Sequence, residues 1–320
     1  MKKKIVKGLL RVFLTVAAVS GLFLLYVQFS YKKEFEVPET GIRSSRDAAV
    51  IARGRYLVMG PSHCWTCHAA DGVTNVQNGT KLGLSGGLEI KLPFGTLYTP
   101  NITPDSATGI GSYSDEMLAR AIRNSVKHDN TAMVPFMTFN TMSDQDISAI
   151  ISYLRRIEPI SHAVPENDLN ILGKIVARFV LKPSQPTAPS YIAPDTTAEY
   201  GKYLAISVAN CVGCHTQRGK TGEFIGKEFS GGYQMPVENG IFGTPNLTPD
   251  KETGILASWT VNDFIKRFET GAAFPNSPMP WKSFQSFTKN DLKALYYFFQ
   301  SLEPVKNQVP RFTRAQAKSS

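Results

Sequence analysis

All four cysteines of this 320-residue chain fall in two copies of one motif, Cys64-Trp65-Thr66-Cys67-His68 and Cys211-Val212-Gly213-Cys214-His215. The pattern C-x-x-C-H reads as covalent attachment of c-type haem. Each thiol adds to one porphyrin vinyl group to form a thioether, and the adjoining histidine then lies beneath the iron as its proximal ligand. Other uses of such cysteines fit less well. A thioredoxin-like redox pair would need a βαβ context and would have no use for the histidine. A Cys₄ zinc site would leave both histidines unexplained. Structural disulfides are rarely closed within C-x-x-C. Cys64, Cys67, Cys211 and Cys214 are therefore expected to hold two haem c groups, with His68 and His215 as axial ligands.

The N-terminus agrees with that chemistry. An apolar run extends from Leu9 to Phe29, interrupted only by Arg11, and about 20 apolar residues suffice to cross a bilayer core. Lys2, Lys3, Lys4 and Lys7 precede it, which places the N-terminus on the cytoplasmic side. A cleaved signal peptide is the competing reading. Ala18-Val19-Ser20 has suitably small residues, but the apolar run continues past it through Val27. Residues 1–33 are thus expected to be an uncleaved, single-pass signal anchor in a bacterial cytoplasmic membrane, with the haem-bearing part on the periplasmic side. The formal net charge of +9 belongs mainly to this segment. The rest of the chain carries 28 basic against 26 acidic side chains, which argues against a nucleic-acid partner.

With the two motifs superposed, the chain repeats itself. Gly54-Arg55-Tyr56-Leu57 matches Gly201-Lys202-Tyr203-Leu204 at an offset of 147. Ser85-Gly86-Gly87 matches Ser230-Gly231-Gly232, and Thr99-Pro100-Asn101-Ile102-Thr103-Pro104-Asp105 matches Thr244-Pro245-Asn246-Leu247-Thr248-Pro249-Asp250, both at 145. Helices are predicted over Asp47–Met59, after Ser114 and after Ser143, and again after Thr260 and Thr288. The Gly-, Thr- and Asn-rich stretch from Ala69 to Tyr113 reads as a long loop with a haem edge to wrap. The expected organisation is all-α: an anchor (1–33), one domain (43–160), a proline-containing linker (161–190), a second domain (191–304) and a frayed polar tail (305–320). The linker holds one amphipathic piece, Leu169–Leu181.

The distal ligands follow from counting. His215 is the one histidine of the second half, so its haem cannot be bis-histidine from that half alone. Met279, in Ser277-Pro278-Met279-Pro280-Trp281, is better placed than Met235, which sits in the glycine-rich loop. In the first half Met133, Met137 and Met142 fall in the corresponding stretch. Met137, flanked by Phe136 and Phe139, is the first choice, and Met133 is the alternative closer to the repeat register. His128 would serve in a bis-histidine site but lies in a polar turn. His63 and His162 are expected to be non-ligating, with His162 exposed.

G-x-Y-L before C-x-x-C-H, then S-G-G, T-P-N-I-T-P-D and T-G-I, then a methionine and a final helix ending near a proline: this combination resembles membrane-anchored class I c-type cytochromes. It is most similar to the cytochrome c subunits of bacterial membrane-bound alcohol, aldehyde and gluconate dehydrogenases. The resemblance implies two tandem class I cytochrome c domains, proximal His68 and His215, and distal Met279. Met137 stands where the family has Met-Pro, with Thr138 in place of the proline. The resemblance also implies that Gly54 packs against Tyr153, and Gly201 against Phe298, where terminal helices cross. Such subunits commonly carry three haems and a C-terminal anchor. This chain has two motifs and an N-terminal apolar run. The implied role is electron transfer from a membrane-bound or periplasmic dehydrogenase to a downstream acceptor, without catalysis by the chain itself. A haem enzyme with one open iron site, of the dihaem peroxidase or thiosulfate-oxidising type, is the alternative.

Overall fold

The computed structural model describes residues 2–69, 83–219, 222–237, 240–274 and 277–314. Part of the long loop expected after the first motif, and the last residues of the tail, lie outside them. The described residues are predominantly helical. In chain order they form α1 (Lys2–Ser30), α2 (Ala48–Met59), α3 (Trp65–His68), β1 (Glu89–Leu92), β2 (Gly95–Tyr98), α4 (Asp115–Asn124) and α5 (Asp144–Leu154). There follow β3 (Asp168–Leu169), α6 (Ile171–Phe179), α7 (Ala198–Tyr203) running into a π-helical turn (Leu204–Val208), and α8 (Cys211–Cys214). The chain continues with β4 (Gln234–Val237), β5 (Gly240–Gly243), α9 (Val261–Thr270), α10 (Trp281–Phe284), α11 (Lys289–Ser301) and β6 (Phe312–Arg314).

The helices begin where their caps dictate. Asp47 accepts from the amides of Ala49 and Val50, Ser114 from Met117, Ser143 from Asp146 and Thr288 from Asp291. At α9 the capping is reciprocal: the Thr260 hydroxyl caps the Asp263 amide while the Asp263 carboxylate takes the Thr260 amide. Two antiparallel three-stranded sheets, β1-β2-β3 and β4-β5-β6, depart from the all-α expectation. In each, a short hairpin inside the long loop of one repeat gains a third strand from the segment after that repeat, β3 from the linker and β6 from the tail.

Contacts divide the chain into two compact units. One comprises Met1–Gly41, His68–Phe136 and Pro159–Gln185, and the other Ile42–Cys67, Met137–Glu158 and Pro186–Ser320. In the first unit, the Glu116 carboxylate at the start of α4 accepts from the Thr40 amide (2.7 Å) and hydroxyl (3.1 Å), tying the chain after α1 to that helix. The expected amphipathic piece is α6, which is sequential with β3 and packs on α1 through stacked Phe23 and Phe179 (6.1 Å).

The second unit holds two helix crossings, each closed on a glycine. A Cβ at Gly54 would lie 1.9 Å from the Ala149 carbonyl oxygen and 2.9 Å from Tyr153 Cβ. At Gly201 the same atom would lie 1.9 Å from the Ala294 oxygen and 2.8 Å from Phe298 Cβ. Both crossings are as the resemblance implies, and only glycine permits so close an approach. The two helix pairs are then joined reciprocally. Tyr56 of α2 donates to Asp291 of α11, and Tyr203 of α7 donates to Asp146 of α5 at 2.7 Å. The Thr288 amide donates to the Tyr56 oxygen (3.3 Å) and the Ser143 amide to the Tyr203 oxygen (3.1 Å). Phe229 sits edge-on to Phe298 and Phe299, and Phe264, Phe268, Phe284 and Phe287 extend this aromatic core.

The tail differs from expectation. Val305 and Asn307 are hydrogen-bonded to the Thr-Pro-Asn loop, and Phe312–Arg314 adds β6 to β5, with Ile241 opposite Thr313. Its polar composition concealed an edge strand, since pairing there uses backbone groups and leaves the side chains exposed.

Candidate haem attachment sites

In both repeats a short helix delivers the motif histidine to a fixed carbonyl. His68 ends α3, and its Nδ1 lies 2.9 Å from the Pro100 oxygen. His215 follows α8 with Nδ1 3.0 Å from the Pro245 oxygen. A carbonyl can only accept, so the ring proton sits on Nδ1 and the Nε2 lone pair is free to ligate. Burial holds both imidazoles below their ordinary pKa, against the opposing pull of the proline carbonyls. They are therefore neutral, as iron ligation requires.

The carbonyl is itself held. Gly86 and Gly87 (φ +70° and +98°), and Gly231 and Gly232 (φ +76° and +95°), turn the chain through backbone that L side chains rarely adopt. The Gly86 amide donates to the His68 oxygen (2.8 Å) and the Gly87 amide to the Thr99 oxygen (2.8 Å). Gly231 and Gly232 repeat this with His215 (2.7 Å) and Thr244 (2.9 Å). A Cβ at Gly86 would lie 2.4 Å from the Pro100 oxygen. Asn101 then folds the loop on itself: its Oδ1 accepts from the Thr103 amide and hydroxyl, and its Nδ2 donates to the Ile160 oxygen. Asn246, Thr248 and Val305 reproduce the set. The repeated T-P-N-x-T-P-D motif is thus a scaffold for the histidine.

None of the four cysteines is in a disulfide: Cys64, Cys211 and Cys214 are half-buried and Cys67 is exposed. As thiols, Cys64 and Cys211 are pushed up to about 12 by burial, the reverse of the activated thiolate of a redox pair. Among the described residues no group of three or more His, Cys, Asp or Glu could hold a metal ion. Two thiols beside a neutral, carbonyl-locked imidazole fit haem c.

The expected distal residues lie in irregular backbone. Met279 is half-buried, and its carbonyl accepts from the Trp281 amide (2.7 Å) that opens α10. Met133 and Met137 are both half-buried, and the Met133 amide is tied to the Ser125 carbonyl (2.8 Å). Met142 and Met235 lie elsewhere, the first fully buried and the second within β4. His128 is exposed in a turn and stacks on Tyr113 (4.3 Å). The His63 ring lies edge-on to Phe139 and Phe284. His162 is not the exposed residue expected. Its Nδ1 lies 2.9 Å from the Ser85 oxygen, and its ring covers Gly87. Asn307, 145 residues later, bonds Ser230 in the same way, a correspondence readable from the repeat once His162 and Asn307 are aligned.

A C-x-x-C-H helix ending under a carbonyl-locked histidine, recurring with its scaffold, defines a class: the chain contains a cytochrome c domain, which implies covalently bound haem c, together with one N-terminal apolar helix. Residues 49–154 match the family described as "Cytochrome C oxidase, cbb3-type, subunit III". The chain is similar to the "Alcohol dehydrogenase (quinone), cytochrome c subunit" of Gluconacetobacter polyoxogenes, at 29% identity over 83% of this chain and 59% of that protein. It is similar to the "Fructose dehydrogenase cytochrome subunit" of Gluconobacter japonicus, at 28% identity over 84% of this chain and 57% of that protein. A "Diheme cytochrome c-type" protein of Cereibacter sphaeroides is 29% identical over 65% of this chain and 69% of its own length. The chain thus spans rather less than two thirds of the two dehydrogenase subunits.

Proposed function

We propose that this chain is an electron-transfer subunit working with a membrane-bound or periplasmic dehydrogenase, and that it carries two haem c groups in two tandem class I cytochrome c domains, 43–160 and 191–304, joined by 161–190. The observation that carries the reading is the twofold occurrence of the histidine lock, with 2.9 Å and 3.0 Å bonds to equivalent proline carbonyls beside paired cysteines. Cys64 and Cys67, and Cys211 and Cys214, would form the thioethers, and His68 and His215 would be proximal ligands. Met279 would be distal in the second site and Met137 in the first, with Met133 as the alternative there. Haem c supplies reversible one-electron chemistry at iron. The chain's part would be to keep each imidazole neutral and aimed and to offer a methionine thioether as a second ligand, which would favour the reduced state relative to a second histidine. The similarity to dehydrogenase cytochrome subunits supports the choice of electron donor. Helix α1, long and apolar enough over the 28 residues Lys3–Ser30 to cross a membrane, would be a single-pass anchor with the haem domains on the periplasmic side of a bacterial membrane.

The full-length protein should contain two irons per chain and keep its haem through denaturing electrophoresis; colour extracted by acid-acetone would refute covalent attachment. Reduced protein should not bind carbon monoxide, whereas Met279→Ala should bind one molecule per chain and lose its near-infrared sulfur-to-iron band at that haem. Met137→Ala should do the same at the other haem while Met133→Ala leaves both spectra intact. The reverse result would transfer the first distal role to Met133. Carbon monoxide binding by the unaltered protein would instead indicate an open haem.

A further inference from the structure

Helix α6 presents an apolar stripe that the haem-binding reading does not use. Its first unit neighbours account for two of its sides. Gly173 packs against the Phe94 carbonyl and Leu169, so this side lies on the hairpin. Lys174 and Arg178, one turn apart, reach α1: Lys174 donates to Gln28 (3.0 Å), and Arg178 donates to the Tyr26 hydroxyl (2.7 Å) with its guanidinium over the Tyr26 ring. Between these sides Ile171, Leu172, Phe179 and Val180 remain exposed by 43%, 50%, 49% and 64%. At about 100° per residue, Leu172 and Phe179 fall within about 20° of one direction.

Two observations identify what covers this stripe. The first is continuity: α6 packs on the far end of α1, from Phe23 to Gln28, where α1 buries Val27 but leaves Phe23, Leu24, Leu25 and Tyr26 exposed. The second is the company at that level. Tyr26 and Tyr31 accompany Lys32, Lys33, Lys174 and Arg178, and the Lys174 ammonium lies over the Tyr31 ring. Tyrosine and cationic side chains at the end of an apolar span are the signature of the membrane–water interface, where rings sit at headgroup depth and amines meet anionic lipid. An amphipathic helix beside them, apolar on one side and basic on another, suits the plane of that interface.

We propose that α6 is an interfacial helix, its Leu172 and Phe179, with Val180 just after it, set into the headgroup–acyl boundary of the bilayer that α1 enters. This rests on the reading of α1 as an anchor. The effect would be to add a second point of attachment beside α1, restricting the tilt of the first unit over the membrane.

The test uses the full-length, haem-loaded protein in vesicles of phosphatidylcholine and phosphatidylglycerol. Its native cysteines are committed to thioethers, so a spin label reports one introduced thiol. At Leu172→Cys, collisions with oxygen relative to a water-soluble nickel chelate should exceed those at Lys182→Cys several-fold and fall below those at Leu22→Cys. Val180→Cys should behave as Leu172→Cys does, giving a second reading should one variant fold poorly, with an unchanged Soret band as the check. A ratio at both positions equal to that of Lys182→Cys would overturn the proposal. So would shielding from both reagents, which would mean that a second copy or another protein covers the stripe. A chelate-accessible label at Leu22→Cys would overturn the anchor itself, a failure distinguishable from loss of the α6 contact alone.

Discussion

The two repeats use one architecture but differ where they meet. Equivalent tyrosines donate to equivalent aspartates: Tyr56 to Asp291 and Tyr203 to Asp146. Gly60 closes on Ser286, and the residues equivalent to that pair, Ser207 and Thr141, share a hydrogen bond of 2.8 Å. At positions 53 and 200 the copies diverge. Arg53 donates twice to Asp146, at 2.8 and 2.9 Å, while Tyr200 offers its oxygen to Arg53 at 3.4 Å. Asp146 therefore carries a cation and a tyrosine, where Asp291 carries a tyrosine. The lesson is that duplication supplies the matching pairs, and one substitution then makes an otherwise reciprocal junction lopsided.

That lopsidedness predicts the largest effect. Asp146 and Arg53 expose only 9% and 21% of their side chains, and removing one member of a buried pair strands the other's charge. Asp146→Asn should cost about 3–5 kcal/mol. Asp291→Asn, which weakens a hydrogen bond without orphaning a cation, should cost about 1–2 kcal/mol. Urea midpoints of the haem-loaded chain measure both. Equal losses would mean that Arg53 contributes nothing to the difference.

The helix crossings should break the symmetry least. An added Cβ meets a backbone oxygen at 1.9 Å in both, and backbone cannot swing aside as a side chain can. Gly54→Ala and Gly201→Ala should each cost about 2–3 kcal/mol, the upper part of the overpacking range. A disparity above about 1 kcal/mol would show that one crossing relaxes and the other does not, beyond the usual scatter of additive effects.

Much of this was legible in the chain itself. The helix starts at Ser114, Ser143, Thr260 and Thr288 followed from local capping chemistry, and both glycine crossings followed from the resemblance. The hairpins did not. Glu-Ile-Lys-Leu and Gly-Thr-Leu-Tyr alternate over only four residues each, too few for a period to stand out within a glycine-rich stretch. Tyr56, Tyr203, Asp146 and Asp291 were visible as repeated residues, but their crossed pairing is long-range, and no local pattern encodes which copy's aspartate a tyrosine meets. The methionines proposed as distal ligands are a different case. Several candidates lie within one irregular stretch, and register alone places Val134, not a methionine, opposite Met279.

The junction also predicts an alkaline response. Burial pushes the Tyr56 and Tyr203 hydroxyls upward, reinforced by the charges of Asp291 and Asp146. A group whose folded pKa is raised contributes its full stability below the unfolded pKa, about 10 for tyrosine, and loses it as pH climbs. Each tyrosine should therefore forfeit about 1.4 kcal/mol by pH 11, because the unfolded state ionises first. Urea midpoints at pH 9 and pH 11 should fall less for Tyr56→Phe and for Tyr203→Phe than for the unaltered chain. Parallel falls would place the alkaline sensitivity outside this junction.

The smallest effect concerns the residues that fasten the two glycine turns. His162 reaches the Ser85 carbonyl and Asn307 the Ser230 carbonyl, each at 2.9 Å, while their amides donate to Thr108 and Thr253. A flat ring and a short amide share little except one N–H donor at the right reach. If that donor is the whole requirement, His162→Asn and Asn307→His should each stay within about 0.5 kcal/mol of the original, the range of substitutions that break no strong contact. Alanine at either position should cost about 1 kcal/mol, the net worth of one hydrogen bond. Hydrogen exchange locates the loss: the Gly87 amide should exchange faster in His162→Ala and the Gly232 amide in Asn307→Ala, since these amides pin the loops that hold His68 and His215. The His162 ring also covers Gly87, with its Cε1 3.0 Å from where a Cβ would stand. A larger penalty for His162→Asn than for Asn307→His would therefore show that packing on Gly87, and not the shared donor, is what the first repeat requires of this position.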